Sequence, residues 1–197
     1  MGKYSVKIYK GNYIERQKAA NADRAVCYVE HHFNASTNNT ADYSMVVVAT
    51  NASRKSKDWG SWYAQEIDKE FPEIIKVANG KSVNPGVVIG GFDGRGNDNV
   101  KSTDMPAILV EPMFATDPDH AKVIKSEEGQ LKLATILAKS IVKFFPMGGV
   151  VAFSIGHKYK RSNPADRGVA VYGGGTEADY AELVLLKAKE LLEKGVM

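Results

Sequence analysis

The run Met105-Pro106-Ala107-Ile108-Leu109-Val110 is apolar at every position and then ends in Glu111. A strand with no polar alternation is buried on both faces, so the sheet that holds it must be covered on each side. The pattern calls for a largely parallel sheet layered with helices. Folds of that kind place their chemistry at the carboxyl edge of the sheet, and a carboxylate stands there.

The remaining elements fit this frame. Strand patterns occupy Tyr4–Tyr9 and residues 25–32, 44–49, 87–92 and 150–155. Helical periodicity runs over residues 13–21, 58–71 and 126–145, and over Glu177–Lys194, with Thr176 as N-cap and Gly195 as terminator. Trp59, Trp62, Tyr63, Ile67 and Phe71 share one helix face and read as core rather than as a sugar platform. Leu131, Ala134, Ile136, Leu137, Ile141 and Phe144 do the same in the third helix. Residues 34–41, 72–85, 90–99 and 157–175 read as loops. The glycines of residues 90–96 read as turns rather than a phosphate cradle, because no Lys-Ser/Thr pair follows them. The predicted fold is a single α/β domain with a central, mostly parallel sheet of about six strands flanked by helices.

Composition narrows the function. A chain of 197 residues with net charge +3 and scattered Lys and Arg has no basic stripe for nucleic acid. Its mild positive charge suits an anionic polymer such as a bacterial wall. The single cysteine, Cys27, excludes an intramolecular disulfide and a Cys-rich zinc site, and reads as a buried small hydrophobe. No stretch has the length and apolarity of a membrane span. The first residues lack the apolar core of a signal peptide. Synthesis in the cytoplasm without a signal peptide is the expectation, with any export by another route.

Catalytic zinc commonly takes two His and one carboxylate and keeps a position open for water. The chain has four histidines, His31, His32, His120 and His157. His32 and His157 close strand patterns, and Glu177 opens a helix after a Gly-rich loop, with Glu182 as a fallback ligand. No short HExxH-type motif is present. On spacing alone, His32 reads equally as a strand-end His bonded to a loop carbonyl, Glu177 as an acid favoured by its helix dipole, and Glu111 as a buried carboxylate paired with a cation. His31 alternates to the opposite face and reads as structural or as a support to the ligands, and the sequence does not decide which. His120, in a polar segment, reads as solvated. Asn34 could position a substrate or cap a turn.

Gln17-Lys18-Ala19-Ala20-Asn21 and Tyr28-Val29-Glu30-His31-His32-Phe33-Asn34-Ala35-Ser36 resemble the R…AN…AD…SIHANAS block of the zinc-dependent N-acetylmuramoyl-L-alanine amidases, the type-3 cell-wall amidase domain. Arg16 and Asn21 fall on that block's Arg and Asn, and His32 on its ligand His. Met105 to Glu111 looks like the family's MPAVLVE block, with Glu111 on its catalytic glutamate. Asp117-Pro118-Asp119 and the helix to Phe145 look like its closing segment.

The family normally begins with a strand ending in Gly-His, a Gly-rich loop, a ligand Glu and a long helix. Here the segment similar to that block comes last. Residues 150–157 resemble the strand, Glu177 follows Gly173-Gly174-Gly175-Thr176, and residues 178–195 resemble the helix. The resemblance therefore implies a circular permutant spanning 1–197. Residues 1–145 would be the family's central and C-terminal part, 146–149 the joining loop, and 150–197 its N-terminal strand, loop and helix. Three departures stand out. The family's Asp-Pro-Gly-His-Gly-Gly becomes Ser154-Ile155-Gly156-His157-Lys158-Tyr159, its Ser-Ile before the ligand His becomes Glu30-His31, and its Gly-Phe after the catalytic Glu becomes Pro112-Met113-Phe114.

The resemblance implies one Zn²⁺ held by His32, His157 and Glu177, with Glu111 as catalytic base. The substrate would be the amide joining N-acetylmuramic acid to L-alanine of the peptidoglycan stem peptide. The expected setting is a phage lysin acting on the wall after release by lysis or a non-classical route, with neither nucleic acid nor membrane insertion. Another zinc amidohydrolase or peptidase, or a non-catalytic wall-binding descendant, is the alternative. Host, stem-peptide preference, oligomeric state and the role of residues 158–176 are not legible in the sequence.

Overall fold

The computed structural model describes residues 3–37 and 41–195. The loop expected at residues 34–41 falls partly outside them, at 38–40. Among the described residues, seven strands form one sheet: β1 (Tyr4–Tyr9), β2 (Cys27–His31), β3 (Tyr43–Val48), β4 (Lys76–Val77), β5 (Val87–Ile89), β6 (Ala107–Glu111) and β7 (Gly149–Ile155). Their order is β1-β7-β2-β6-β3, with β4 and β5 pairing successive parts of β3. Every pairing is parallel except that of β3 with β6. The α/β reading and its mostly parallel sheet are borne out, with the two-residue β4 beyond the six strands expected.

The last strand does not lie at an edge. It inserts between β1 and β2, pairing Val151 with Val6 on one side and with Cys27 on the other. The exposed edge of β1 is covered from helix α5 (Glu177–Lys194). Glu193 Oε1 accepts the Val6 amide at 2.9 Å, and Lys189 Nζ donates to the Val6 carbonyl at 2.7 Å. These contacts cap the edge strand's backbone at Val6, one way of blunting a sheet edge.

One face of the sheet is packed by α2 (Arg54–Glu70), α3 (Pro118–Lys125), α4 (Glu127–Phe144) and α5, over a core that includes Val29, Trp59, Ile108, Leu137, Phe153 and Leu185. The other face carries the short helix α1 (Tyr13–Ala22) and the irregular segment after β5, over Tyr28, Val47, Leu109 and Ala152. The strands β2, β3, β6 and most of β7 are buried on both faces, whereas the edge strand β1 alternates, with Ser5 and Lys7 exposed. Trp59, Tyr63, Ile67 and Phe71 are core, as their spacing predicts, and Trp62 packs edge-on against Phe144.

The third helical segment, expected at 126–145, is borne out as α4, and the structure adds α3 immediately before it. Residues 118–144 form two helices joined at Ser126, which is extended (φ −82°, ψ 143°) and accepts the Gly129 amide at 2.9 Å. The corner is tight enough that a Cβ on Gly129 would lie 2.1 Å from the Val123 carbonyl oxygen. Asp117 caps α3 through the amides of Asp119 and His120, with Pro118 in the first turn. Leu131, expected in the core, is 48% exposed. It lies two residues, about 200° of helical rotation, from the buried Leu133, which heads the real stripe of Leu133, Leu137 and Ile141. Gly195 ends α5 in the left-handed region, as expected. Thr176 does occupy the N-cap position, but its hydroxyl turns to Asp179 at 2.6 Å instead of to a backbone amide.

Candidate metal centre

Because β7, β2 and β6 are adjacent and parallel, their carboxyl ends lie along one edge of the sheet. His32 follows β2 directly, Glu111 closes β6, and Gly156-His157 follows β7. The first residue of α5, Glu177, comes over the same edge. One ligating atom from each of His32, His157 and Glu177 can be chosen so that all lie within 4.8 Å of one another. The His32 Nδ1 to Glu177 Oε1 distance is 2.8 Å, and that from His157 Nε2 to the same oxygen is 3.4 Å. The two imidazoles meet edge-to-face, with centroids 4.9 Å apart.

Backbone geometry makes this crowding possible. A Cβ on Gly156 would stand 2.5 Å from the His32 ring. One on Gly168, itself at φ +70°, would stand 2.3 Å from Glu177 Oε2 and 2.8 Å from the His157 ring. His157 adopts φ +60°, a strained conformation of the kind that gathers at functional sites.

The second nitrogen of each histidine also meets a carboxylate. His32 Nε2 is 3.0 Å from Glu30 Oε1, and His157 Nδ1 is 2.9 Å from Asp166 Oδ1. Asp166 is held in turn by Lys160 at 2.7 Å and the Gly168 amide at 2.9 Å. The long segment 158–176 thus supports the cluster. It carries Asp166 beneath His157 and donates the Val169 amide to Glu177 Oε2 at 3.2 Å. Two imidazoles and a carboxylate, each imidazole backed by a second carboxylate, form a donor set that fits zinc. Sequence reading missed Glu30 and Asp166. The signal for Glu30 was an acid inside an otherwise apolar strand, whereas Asp166 lay unmarked in a charged loop.

Electrostatics follow from this burial. At His32, burial disfavours the imidazolium, but the hydrogen bonds and charges of Glu177 and Glu30 outweigh it and hold its pKa well above the ordinary value. At Glu177, burial would raise the pKa, yet the two histidines and the Val169 amide hold it below the usual carboxylate range. Glu111 moves the other way. Burial first, with the Glu177 charge adding and the His32 charge opposing, pushes it up to about 7. Glu111 shares with the three residues a cleft of about 600 Å³, whose walls include Tyr13, Asn34, Tyr43, Phe92 and Arg95.

The other candidates lie elsewhere in function. Glu182, the fallback ligand, pairs with Lys158 and with the Tyr159 hydroxyl, away from the cluster. Asn34 borders the cleft while its Oδ1 accepts the Ala35 amide. His31 faces the opposite side of the sheet, buried edge-to-face on Phe33. His120, expected in solvent, is 1% exposed. Its Nδ1 accepts the Phe114 amide at 3.1 Å and its Nε2 donates to the Ile74 carbonyl at 2.6 Å, so it pins the turn after β6 to the turn that follows α2.

Comparison with known proteins gives a consistent picture. Residues 5–143, well over half of the chain, match the N-acetylmuramoyl-L-alanine amidase family. No curated protein sequence matches. Among solved structures, an N-acetylmuramoyl-L-alanine amidase from Clostridium difficile 630 superposes with a TM-score of 0.55 at 25% identity, over 68% of this chain and 66% of that one. The CwlD amidase of Clostridioides difficile, solved with the GerS lipoprotein, gives 0.54 at 19% over 68% and 61%. The catalytic domain of the CwlV amidase from Bacillus (Paenibacillus) polymyxa var. colistinus gives 0.53 at 18% over 69% and 66%. The chain spans slightly less than two thirds of the length of these structures. The family match ends before His157 and Glu177, so two of the three clustered donors lie beyond it.

Proposed function

The chain belongs to the N-acetylmuramoyl-L-alanine amidase family, and on that premise we propose that it hydrolyses the amide between N-acetylmuramic acid and L-alanine of the peptidoglycan stem peptide. The observation that carries this reading is the convergence of His32, His157 and Glu177 in one cleft with Glu111, a carboxylate of raised pKa. His32, His157 and Glu177 would hold one Zn²⁺, which supplies Lewis acidity to a carbonyl and to water.

The chain's own residues do the rest. The anionic Glu111 takes a proton from the attacking water and later gives it to the nitrogen of the leaving L-alanine, so that the amine departs neutral. A carboxyl group poised near neutrality serves both directions of that transfer.

Two further proposals complete the reading. The insertion of β7 between β1 and β2, followed by α5, supports circular permutation, with residues 146–149 joining the family's former ends. We also propose a wall-lytic role of the phage-lysin type, which the net charge of +3 suits. The test of the activity is product analysis. Purified wall treated with the protein should release peptides bearing a new N-terminal alanine amine and leave intact glycan strands. Release of peptides lacking that amine would contradict the proposal.

A further inference from the structure

Glu30 is a fully buried carboxylate that takes no part in the hydrolysis described. It stands on β2 two residues before His32, and so on the same face of the strand. Its Oε1 accepts Asn99 Nδ2 at 2.6 Å and meets His32 Nε2 at 3.0 Å. Its Oε2 accepts the Ser154 hydroxyl at 2.9 Å and the Tyr28 hydroxyl at 3.2 Å. Arg16, also fully buried, donates to Ser154 Oγ at 2.7 Å and to the Ile155 carbonyl at 2.8 Å, and brings a compensating charge.

A buried carboxylate is costly unless every lone pair is met and a cation stands near. Here three side-chain donors fix its orientation, and the direction left to it is the Nε2 side of His32. An imidazole whose Nε2 proton is claimed by a carboxylate presents Nδ1 to its other neighbours. In this structure Nδ1 is the nitrogen that faces Glu177.

The sheet register adds a second, independent observation. Glu30 lies directly opposite Ser154 across the β2–β7 pairing. At these two positions the chain departs from the amidase pattern in opposite senses. By the resemblance drawn from the sequence, Glu30 falls where the amidase block has Ser and, under the proposed permutation, Ser154 falls where it has the Asp of Asp-Pro-Gly-His. The strand pair therefore keeps one carboxylate and one hydroxyl in the same buried pocket, with the strands exchanged.

We infer that Glu30 is the positioning residue of His32, holding its Nε2 proton so that Nδ1 is the metal-binding nitrogen, and that the exchange between positions 30 and 154 moved this carboxylate from one strand to its neighbour. The inference rests on the metal-centre reading proposed above and, for the exchange alone, on the proposed permutation. The test measures zinc affinity by competition with a chromophoric chelator, without any substrate, for wild type, Glu30→Gln, Glu30→Ser and Glu30→Ser/Ser154→Asp, each checked for folding by circular dichroism. The single variants should bind zinc about 10–100-fold more weakly, the usual cost of losing such a partner, and the double variant should regain most of that loss. In the zinc-loaded wild type, ¹⁵N NMR of the imidazoles should show His32 protonated at Nε2 alone. Should Glu30→Ser fail to fold, Glu30→Gln and the NMR signature decide. Folded single variants with wild-type affinity, a folded double variant no tighter than Glu30→Ser, or a wild-type His32 protonated at Nδ1 would overturn the inference alone. A wild type that binds no zinc would overturn the underlying reading with it.

Discussion

His32 Nδ1 lies 2.8 Å from Glu177 Oε1, although 145 positions separate the two residues along the chain. The contact exists because β7 enters the sheet beside β2 and hands the chain, through the loop that carries Asp166, to the first turn of α5. Everything proposed for the cleft depends on that return.

Glu111→Gln should lower kcat by about 10²–10⁴-fold, the usual contribution of a general base, while leaving zinc content unchanged. Steady-state release of stem peptide together with metal analysis checks both halves. The same variant has a second expected effect in metal-free protein. The folded-state pKa of Glu111, about 7, lies above the ordinary 4.5. Its contribution to stability is therefore full below pH 4.5 and is lost as pH rises through 7. Urea denaturation at about pH 5 and about pH 8 should show this loss in wild type and a smaller one in Glu111→Gln.

Metal binding should expel a proton from His32. In the metal-free protein Glu177 and Glu30 favour its imidazolium, and a ligand must be neutral at the nitrogen it offers. Zinc affinity should thus climb with pH through the raised pKa of His32. Calorimetry in buffers of different ionisation enthalpy should report proton release. Identical binding enthalpies in all buffers would contradict the assignment.

His31→Phe should stabilise the fold by about 1–3 kcal/mol, the cost of a buried polar group without partners. Both ring nitrogens of His31 are buried and lack a hydrogen-bond partner among the described residues. Burial, aided by the charge of His32, pushes the imidazole down to about 3 from the ordinary 6.5. Above pH 6.5 this costs nothing in protonation. As pH falls from 6.5 towards 3 the unfolded chain takes a proton that the folded one refuses, so stability is lost. The gain from His31→Phe should be larger at about pH 5 than at about pH 8, as measured by chemical denaturation.

Gly168→Ala should cost more than a surface substitution in the same loop, for two separate reasons. The new Cβ would strike Glu177 and the His157 ring, and the backbone sits at φ +70°. Zinc affinity should fall along with thermal stability. The neighbouring Gly174, also at positive φ but with open space around its Cβ position, provides the control: Gly174→Ala should affect stability without touching the metal.

The sequence made the sheet legible because its central strands are buried on both faces and carry apolar runs, as at residues 107–110 and 150–153, and because the edge strand β1 alternates. It made His32, His157, Glu177 and Glu111 legible because strand ends and a helix start are where a parallel sheet gathers side chains. The short helix α3 escapes a reading of the sequence, although Asp117 and Pro118 mark its start; at eight residues it is too short for periodicity to reveal, and Ser126 separates it from α4. Other features depend on contacts that no local pattern encodes. His120 has the look of an exposed polar residue, and is buried only because the Ile74 carbonyl and the Phe114 amide meet it from two distant segments. Asp166 acquires its place from the path of a loop, which composition does not specify.

The decisive measurement is the zinc content of purified wild type and of His157→Ala, by elemental analysis of folded protein. One zinc per chain in wild type, lost in His157→Ala, is the expected result and would establish that the last strand and helix complete the centre begun by His32. A full complement of zinc in folded His157→Ala, or none in wild type, would contradict it.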